Sequence, residues 1–341
     1  MPTPLPADQP IRWGILGAGG IADTVSHDIS ATAGNVVAAV GARHADRAAA
    51  FASRHGADRS YGDYEALIND DGIDVIYVAT THPSHRELAL KSIAAGKAVL
   101  IEKPLCLNAA DAREVFAAAQ KADVFAMEAM WMRTNPLILK AQQLIADGAI
   151  GELRGVRDEF GLGVPFDATH RLYDIDNGGG ALLDIGVYPA TFAHVFLGHP
   201  DQVTTVGTLA ESGADDTVVM QWIYDGVPKA QLSMSLSTAA PNEAAILGTD
   251  GWIKVLAPAF RPSGLVVHNK RNGTEYAIED PLAGKGAGYG PEIEEVARCL
   301  RAGLGESPLI PHADTIAILE LLDEARATLG VTYPSERKAA L

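Results

Sequence analysis

The stretch from Ile11 to Ala31 constrains this chain's fold more than any other. An apolar strand over residues 11–16 runs directly into Gly17-x-Gly19-x-x-Ala22, and a helical pattern starts at Ile21. A strand that turns so sharply into a helix needs residues without a Cβ, and open α/β sheets place such a turn at the end of their first strand. Short apolar runs then alternate with helical patterns as far as residue 130. Strands are expected at 36–41, 75–79, 98–101 and 124–127, and helices at 21–31, 45–55, 64–69, 86–95 and 109–120. Runs of Val, Ile and Ala without polar alternation mark strands buried on both faces, as in a parallel sheet covered by helices. Residues 1–130 are therefore expected to form a doubly wound parallel α/β domain that binds a dinucleotide.

After Met132 the pattern changes. Helices are expected at 137–147 and at about 180–197. Strands follow at 203–209, 217–224, 230–237, 243–248, 251–255, 264–268 and 274–278, and helices at 292–301 and 312–329. Strands in succession, joined by turns such as Asp225-Gly226 and Asp250-Gly251, predict an α+β domain over 131–341 with a large, open, mostly antiparallel sheet. One face of such a sheet needs a partner, so a homodimer or a dimer of dimers is expected, with substrate binding and oligomerisation assigned to this domain.

The chain has 341 residues, too many for one hydrophobic core. Lys and Arg number 27 against 43 Asp and Glu, a net charge of −16, which argues against nucleic acid as a partner. The first ten residues lack the basic and apolar regions of a signal peptide, and no run was expected to reach the ~20 apolar residues of a membrane span. Cys106 and Cys299 fit neither a disulfide framework nor a metal spacing. A cytoplasmic protein acting on a small molecule, away from membranes, is expected.

The glycines at 17 and 19 would allow close phosphate approach, and Gly20 and Ile21 open the helix whose amides would face it. An NAD site usually has Asp or Glu at the end of the second strand. Here the chain has Ala42-Arg43-His44, with Arg47 one turn later. Guanidinium groups there suit the 2′-phosphate of NADP, with NAD as the second choice. The alternatives are a turn without a ligand and arginines that are merely solvated. At the third strand's end, Thr80, His82 and His85 would border the cofactor. No acidic or histidine residue stands near them at a ligand spacing, so no metal is expected.

Glu102-Lys103-Pro104 follows the strand at 98–101, where an open α/β sheet holds its ligand. Asp184 and Tyr188 lie four residues apart on the helix that follows Gly178-Gly179-Gly180. Oxidising an alcohol requires that its proton leave as the hydride does, and a phenol accepts that proton only when its pKa of ~10 is pulled down. An ammonium such as that of Lys103 would do so. Asp184 would hold the substrate oxygen or Lys103. Tyr188 is otherwise a helix-face aromatic, and Asp184 a cap after the glycines.

Together these segments resemble the Gfo/Idh/MocA oxidoreductase family over essentially the whole chain. The likeness rests on the glycine turn, Glu102-Lys103-Pro104 and Gly178-Gly179-Gly180-Ala181-Leu182-Leu183-Asp184-Ile185-Gly186. Most members have histidine four residues after that aspartate. Tyr188 instead resembles the branch of dimeric dihydrodiol dehydrogenase and NADP-dependent D-xylose dehydrogenase, as do Met127 to Arg133 and Gly284 to Gly288. The resemblance implies a Rossmann domain and an NADP-dependent oxidoreductase of sugars or cyclic polyols and diols. It implies Lys103 and Tyr188 as the catalytic pair supported by Asp184, and Trp131, Arg133 and Phe160 near the substrate. It also implies Glu102 near the cofactor, and Arg43 and Arg47 on its 2′-phosphate. Asn135-Pro136-Leu137 and residues 161–167 depart from the branch and leave the substrate open. A redox sensor or regulatory protein without turnover is the alternative, as is a redox-neutral enzyme with trapped NAD(P).

Overall fold

The computed structural model describes residues 2–226, 229–334 and 336. It divides into two compact units, Met1–Thr134 with Gly284–Ile316, and Asn135–Ala283 with Ala317–Leu341. The chain is thus not divided by one cut near residue 130. Residues 284–316 return to the first unit, and the reason is local. Buried Asp28 on the first helix accepts backbone N–H bonds from Ala287, Gly288 and Tyr289 at 3.1, 3.0 and 2.8 Å, which fastens the glycine-rich loop to that helix.

Among the described residues, the first unit is built on a six-stranded sheet. Its strands are β1 (Ile11–Leu16), β2 (Asn35–Gly41), β3 (Arg59–Tyr61), β4 (Val75–Val78), β5 (Ala98–Glu102) and β6 (Ala126–Ala129). They lie in the order β3-β2-β1-β4-β5-β6 with every neighbouring pair parallel. Helices α1 (Gly20–Ala31), α2 (Ala45–His55), α3 (Tyr64–Ile68), α4 (His85–Ala94) and α5 (Ala109–Lys121) connect them. The expected doubly wound sheet is present. Only the edge strand β3 escaped the sequence pattern, because Arg-Ser-Tyr has no apolar run to betray it. The strand order reverses direction between β1 and β4, and ligands of open α/β sheets bind outside the strand ends at that point.

The second unit begins with α6 (Pro136–Ala146), whose Asn135 side chain caps the Leu137 N–H at 2.9 Å. Its sheet comprises β7 (Leu153–Gly161), β8 (Gln202–Leu209), β9 (Asp215–Ile223), β10 (Lys229–Ser235), β11 (Ala244–Gly248), β12 (Gly251–Val255), β13 (Gly264–Asn269) and β14 (Thr274–Glu279). The order is β14-β13-β12-β11-β7-β10-β9-β8, antiparallel throughout except for β7 with β10. Strand β7 was not expected, although it is central. Four of its nine residues are charged, Arg154, Arg157, Asp158 and Glu159, which hides the strand from a search for apolar periodicity.

Helix α7 (Val187–Leu197) packs on β7 and β10. On the outer strands, Val206, Val219, Ile223 and Tyr276 remain exposed, Val206 to 60%. The stretch Ile175–Leu197 has the length and hydropathy of a membrane span, contrary to expectation, but 78% of its most apolar window is buried inside the protein. It is a core helix here. The chain ends with α8 (Gly290–Ala302) and α9 (His312–Leu329).

Candidate functional site

In the first unit, the predicted residues gather at the carboxyl ends of β1, β2, β4 and β5. Gly17 has φ +108°, and a Cβ there would stand 2.6 Å from the Ala79 carbonyl oxygen. The turn therefore needs glycine for its own backbone. Gly19 and Gly20 differ, since a Cβ on either would meet nothing within 4 Å. Gly19 also starts α1 without a side-chain cap, so the first amides of the helix face open space. Thr80, just past the end of β4, has a buried hydroxyl with no hydrogen-bond partner among the described residues. A glycine cradle, uncapped amides and an orphaned hydroxyl fit a phosphate-bearing dinucleotide. Ile21 is half-buried in the first turn of α1, and Ala42 is buried with its N–H on the Tyr61 carbonyl at 3.1 Å. Arg43 is exposed, and Arg47 reaches the Ala18 carbonyl at 3.2 Å, which places its guanidinium on the glycine turn.

Several residues expected at ligands also make contacts within the scaffold. His85 is fully buried, with Nδ1 3.1 Å from the Pro104 carbonyl oxygen and Nε2 3.1 Å from that of Thr80. Burial lowers its pKa, so a neutral ring donates to one of these carbonyls and ties the ends of β4 and β5 together. His82 sits in a 3-10 turn, its ring 5.7 Å from that of His85. Buried Glu102 accepts the Tyr77 hydroxyl and, at 3.2 Å, the Lys103 N–H, an anchor beneath the turn rather than a surface for cofactor. Arg133 was expected at the substrate. Its guanidinium instead donates to Asp314 at 2.6 Å and to the Leu309 carbonyl at 2.7 Å, with only 11% of the side chain exposed. Trp131 is stacked on Tyr289, ring centroids 4.2 Å apart.

Beneath these residues lies a carboxyl group that the sequence did not advertise. Glu292, on α8, is buried, and among the described residues no donor reaches either of its oxygens. Its desolvation, and then the nearness of Glu102 and Glu128, push its pKa well above the usual carboxylate range. Glu128, by contrast, accepts the Leu105 N–H at 2.9 Å and the Thr315 hydroxyl at 3.0 Å. A carboxyl raised in the folded state stabilises relative to its charged form only while protonated. Its contribution is intact below the ordinary Glu pKa and is lost as pH rises from there towards the raised value. Glu292→Gln should therefore leave stability at pH 4 nearly unchanged and raise it at pH 8 by about 1 kcal/mol or more, since the amide need not ionise and each unit of pKa elevation is worth about 1.4 kcal/mol. Melting curves of both proteins across this range check it. A difference that shrinks with rising pH would contradict the assignment.

In the second unit, Asp184 lies in a π-helical turn, Leu182–Gly186, that leads into α7, and Tyr188 is the second residue of that helix. Wide turns of this kind recur at functional sites. Two of the three glycines before it are required by packing. A Cβ on Gly179 would stand 2.7 Å from the Leu172 carbonyl oxygen, and one on Gly180, at φ +137°, 2.3 Å from Asp215. Buried Asp215, its pKa pushed up to about 6 by desolvation, accepts the Leu182 N–H at 2.6 Å and so starts the turn. Asp184 is held by Arg171 at 2.8 and 3.4 Å. Tyr188 lies against Phe160 and Phe260, with centroids 5.9 and 5.1 Å away, and these two phenylalanines stack at 4.7 Å. The structure thus brings Asp184, Tyr188 and Phe160 into one region. It adds Arg171, Asp215 and Phe260, which the sequence did not single out. Only Arg171 had a local signal, as a cation in the loop before the glycines.

A Rossmann unit with an open glycine cradle, joined to an open-sheet unit bearing an acid and a phenol on one helix, defines a dinucleotide-linked oxidoreductase. Residues 11–130 match the oxidoreductase family with an NAD-binding Rossmann fold, and residues 138–254 the GFO/IDH/MocA C-terminal domain. The chain is 38% identical over 340 residues to trans-1,2-dihydrobenzene-1,2-diol dehydrogenase of Mus musculus, spanning 96% of this chain and 99% of that one. A 3-ketoreductase from Actinomadura kijaniata, solved in complex with NADP and TDP-benzene, is 26% identical. It aligns with a TM-score of 0.82 over 94% of this chain and 98% of its own. The aldose-aldose oxidoreductase from Caulobacter crescentus, 21% identical over 94% and 98% of the two chains, shares the fold with a TM-score of 0.84. The chain belongs to the Gfo/Idh/MocA oxidoreductase family.

Proposed function

We propose that this protein is an NADP-dependent dehydrogenase that moves a hydride between an alcohol carbon of a cyclic diol, polyol or sugar and nicotinamide. The observation that carries this is the open cradle at Gly19 and Gly20, next to Arg43 and Arg47, where the end of β2 has no carboxylate. NADP, when bound, supplies the hydride acceptor. Arg43 and Arg47 hold its 2′-phosphate, the glycine turn and the first amides of α1 its pyrophosphate, and Thr80 a neighbouring polar group. In the oxidising direction Tyr188 takes the hydroxyl proton, Lys103 stabilises the phenolate and the developing oxyanion, and Asp184, held by Arg171, orients the substrate oxygen. An aldose would leave as a lactone, a diol as a hydroxyketone. Activity on diols in the mouse relative and the NADP bound by the 3-ketoreductase support this assignment.

Cofactor choice is tested by titration. Arg43→Ala should weaken NADP binding by roughly 1.5–3 kcal/mol, the range for a charged hydrogen bond, and leave NAD nearly unaffected. Equal losses for both cofactors would remove the assignment.

We also propose that the face of β8 and β9 bearing exposed Val206, Val219 and Ile223 forms the interface of a homodimer or a dimer of dimers, since an apolar sheet face left in water invites pairing. Light scattering at micromolar concentration should give at least twice the chain mass. A monomer would contradict it.

A further inference from the structure

Helices α1 and α2 also bring together three side chains with the chemistry of a metal site. Asp23 and His27 stand one turn apart on α1, and His55 ends α2. Nε2 of His55 is 3.0 Å from Asp23 Oδ1, and Nε2 of His27 is 4.0 Å from Asp23 Oδ2. One ligand atom from each of the three lies within 4.8 Å of the others. Bonds of 2.0–2.2 Å to zinc in tetrahedral geometry place ligands about 3.3–3.5 Å apart, so the observed separations bracket what one ion requires.

Two features distinguish this group from a surface ion pair. The first is His27. At 4.0 Å it is beyond hydrogen-bond reach of Asp23, yet its ring stands edge-on to that of His55 with centroids 4.6 Å apart. Pairing on Asp23 thus gathers two imidazoles as well as Arg54, and the two imidazoles converge on the same carboxylate. The second is the fixing of His55. Its side chain is 1% exposed and lies against Phe51, so one ligand is held in place by packing before any ion arrives. His27, at 68% exposure, supplies the adjustable ligand and leaves a fourth position open to water. Arg54 also donates to Asp23, at 3.0 Å, but is itself largely exposed over the Phe51 ring, and an exposed pair of this kind is readily exchanged.

We propose that Asp23, His27 and His55 form a binding site for a borderline divalent metal of the zinc class, bracing α1 against α2. Two imidazoles and one carboxylate favour Zn²⁺, Co²⁺ or Ni²⁺ over Mg²⁺ or Ca²⁺, which prefer oxygen alone. The site is distinct from His82 and His85, where no metal was expected and where His85 is already engaged by carbonyls.

The test is calorimetric titration of the chelator-stripped full chain with ZnCl₂, with thermal melting in parallel. The wild type should bind one Zn²⁺ per chain, melt at a higher temperature when loaded, and be indifferent to MgCl₂ at the same concentration. His27→Gln and Asp23→Asn should each weaken binding at least tenfold and abolish the melting shift. Because His27 is exposed, its replacement leaves the fold intact, which circular dichroism verifies. Absence of saturable Zn²⁺ binding, or wild-type affinity in either variant, would overturn the proposal.

Discussion

Tyr188→Phe should cut turnover by about 10²–10⁴-fold while leaving both the fold and NADP affinity close to wild type, the usual loss when a general acid–base group is removed. The substitution keeps the ring that packs against Phe160 and Phe260 and removes only the hydroxyl. The glycine turn that holds the cofactor is on a different segment and should not respond. On the proposed pairing, Lys103→Met should have an effect of similar size, because the phenol would lose the charge proposed to make it a proton acceptor. If the two act as the proposed unit, the double variant should lose far less than the product of the single losses. Asp184→Asn should cost less, as orientation by Arg171 survives in part. If Tyr188→Phe retained near wild-type turnover on the true substrate, the proton would have to pass through another group, with Asp184 or His170 the next to examine.

The second large effect separates two glycines that look alike in the sequence. Gly17→Ala places a Cβ 2.6 Å from the Ala79 carbonyl oxygen at a φ of +108°, and neither backbone segment can yield without disturbing the pairing of β1 with β4. Strain at such a φ costs about 1–3 kcal/mol and forced repacking another 1–3, so a loss of roughly 2–6 kcal/mol is expected. A clear fall in melting temperature should show it. Gly19→Ala meets nothing within 4 Å and has an ordinary φ of −94°. Its stability should change by no more than about 1 kcal/mol, yet its methyl group would stand where phosphate approaches. Cofactor affinity should drop without a matching loss of stability. Equal melting for the two variants would mean that the turn is not built as described.

How much of this was legible in the sequence depends on whether the information was local. Strand β1, helix α2 and helix α9 match their sequence patterns to the residue, since each has distinct ends. Strand β7 was hidden by its charges, and β3 by its lack of apolar residues. The return of residues 284–316 to the first unit depends on Asp28, more than 250 residues away, which no local pattern reports. The site divides in the same way. Glycines and strand ends pointed to the cradle because a tight turn advertises itself. The sequence could not show that His85, Glu102 and Arg133 are occupied by carbonyls, Tyr77 and Asp314, because a polar side chain reads the same whether it meets a ligand or its own backbone. Arg171, Asp215 and Phe260 were missed because each is defined only by the residue it touches.

The central claim is net, cofactor-dependent oxidation of an alcohol, and its most direct test is a spectrophotometric assay of NADP reduction by the purified chain. The panel would comprise trans-dihydrodiols, aldoses and inositols, with NAD in parallel. At least one of these should drive continuous reduction of NADP, faster than of NAD, and Tyr188→Phe should abolish nearly all of it. A protein that binds NADP but reduces none with any member of the panel would behave as a sensor or as a redox-neutral enzyme with trapped cofactor, and would contradict the account.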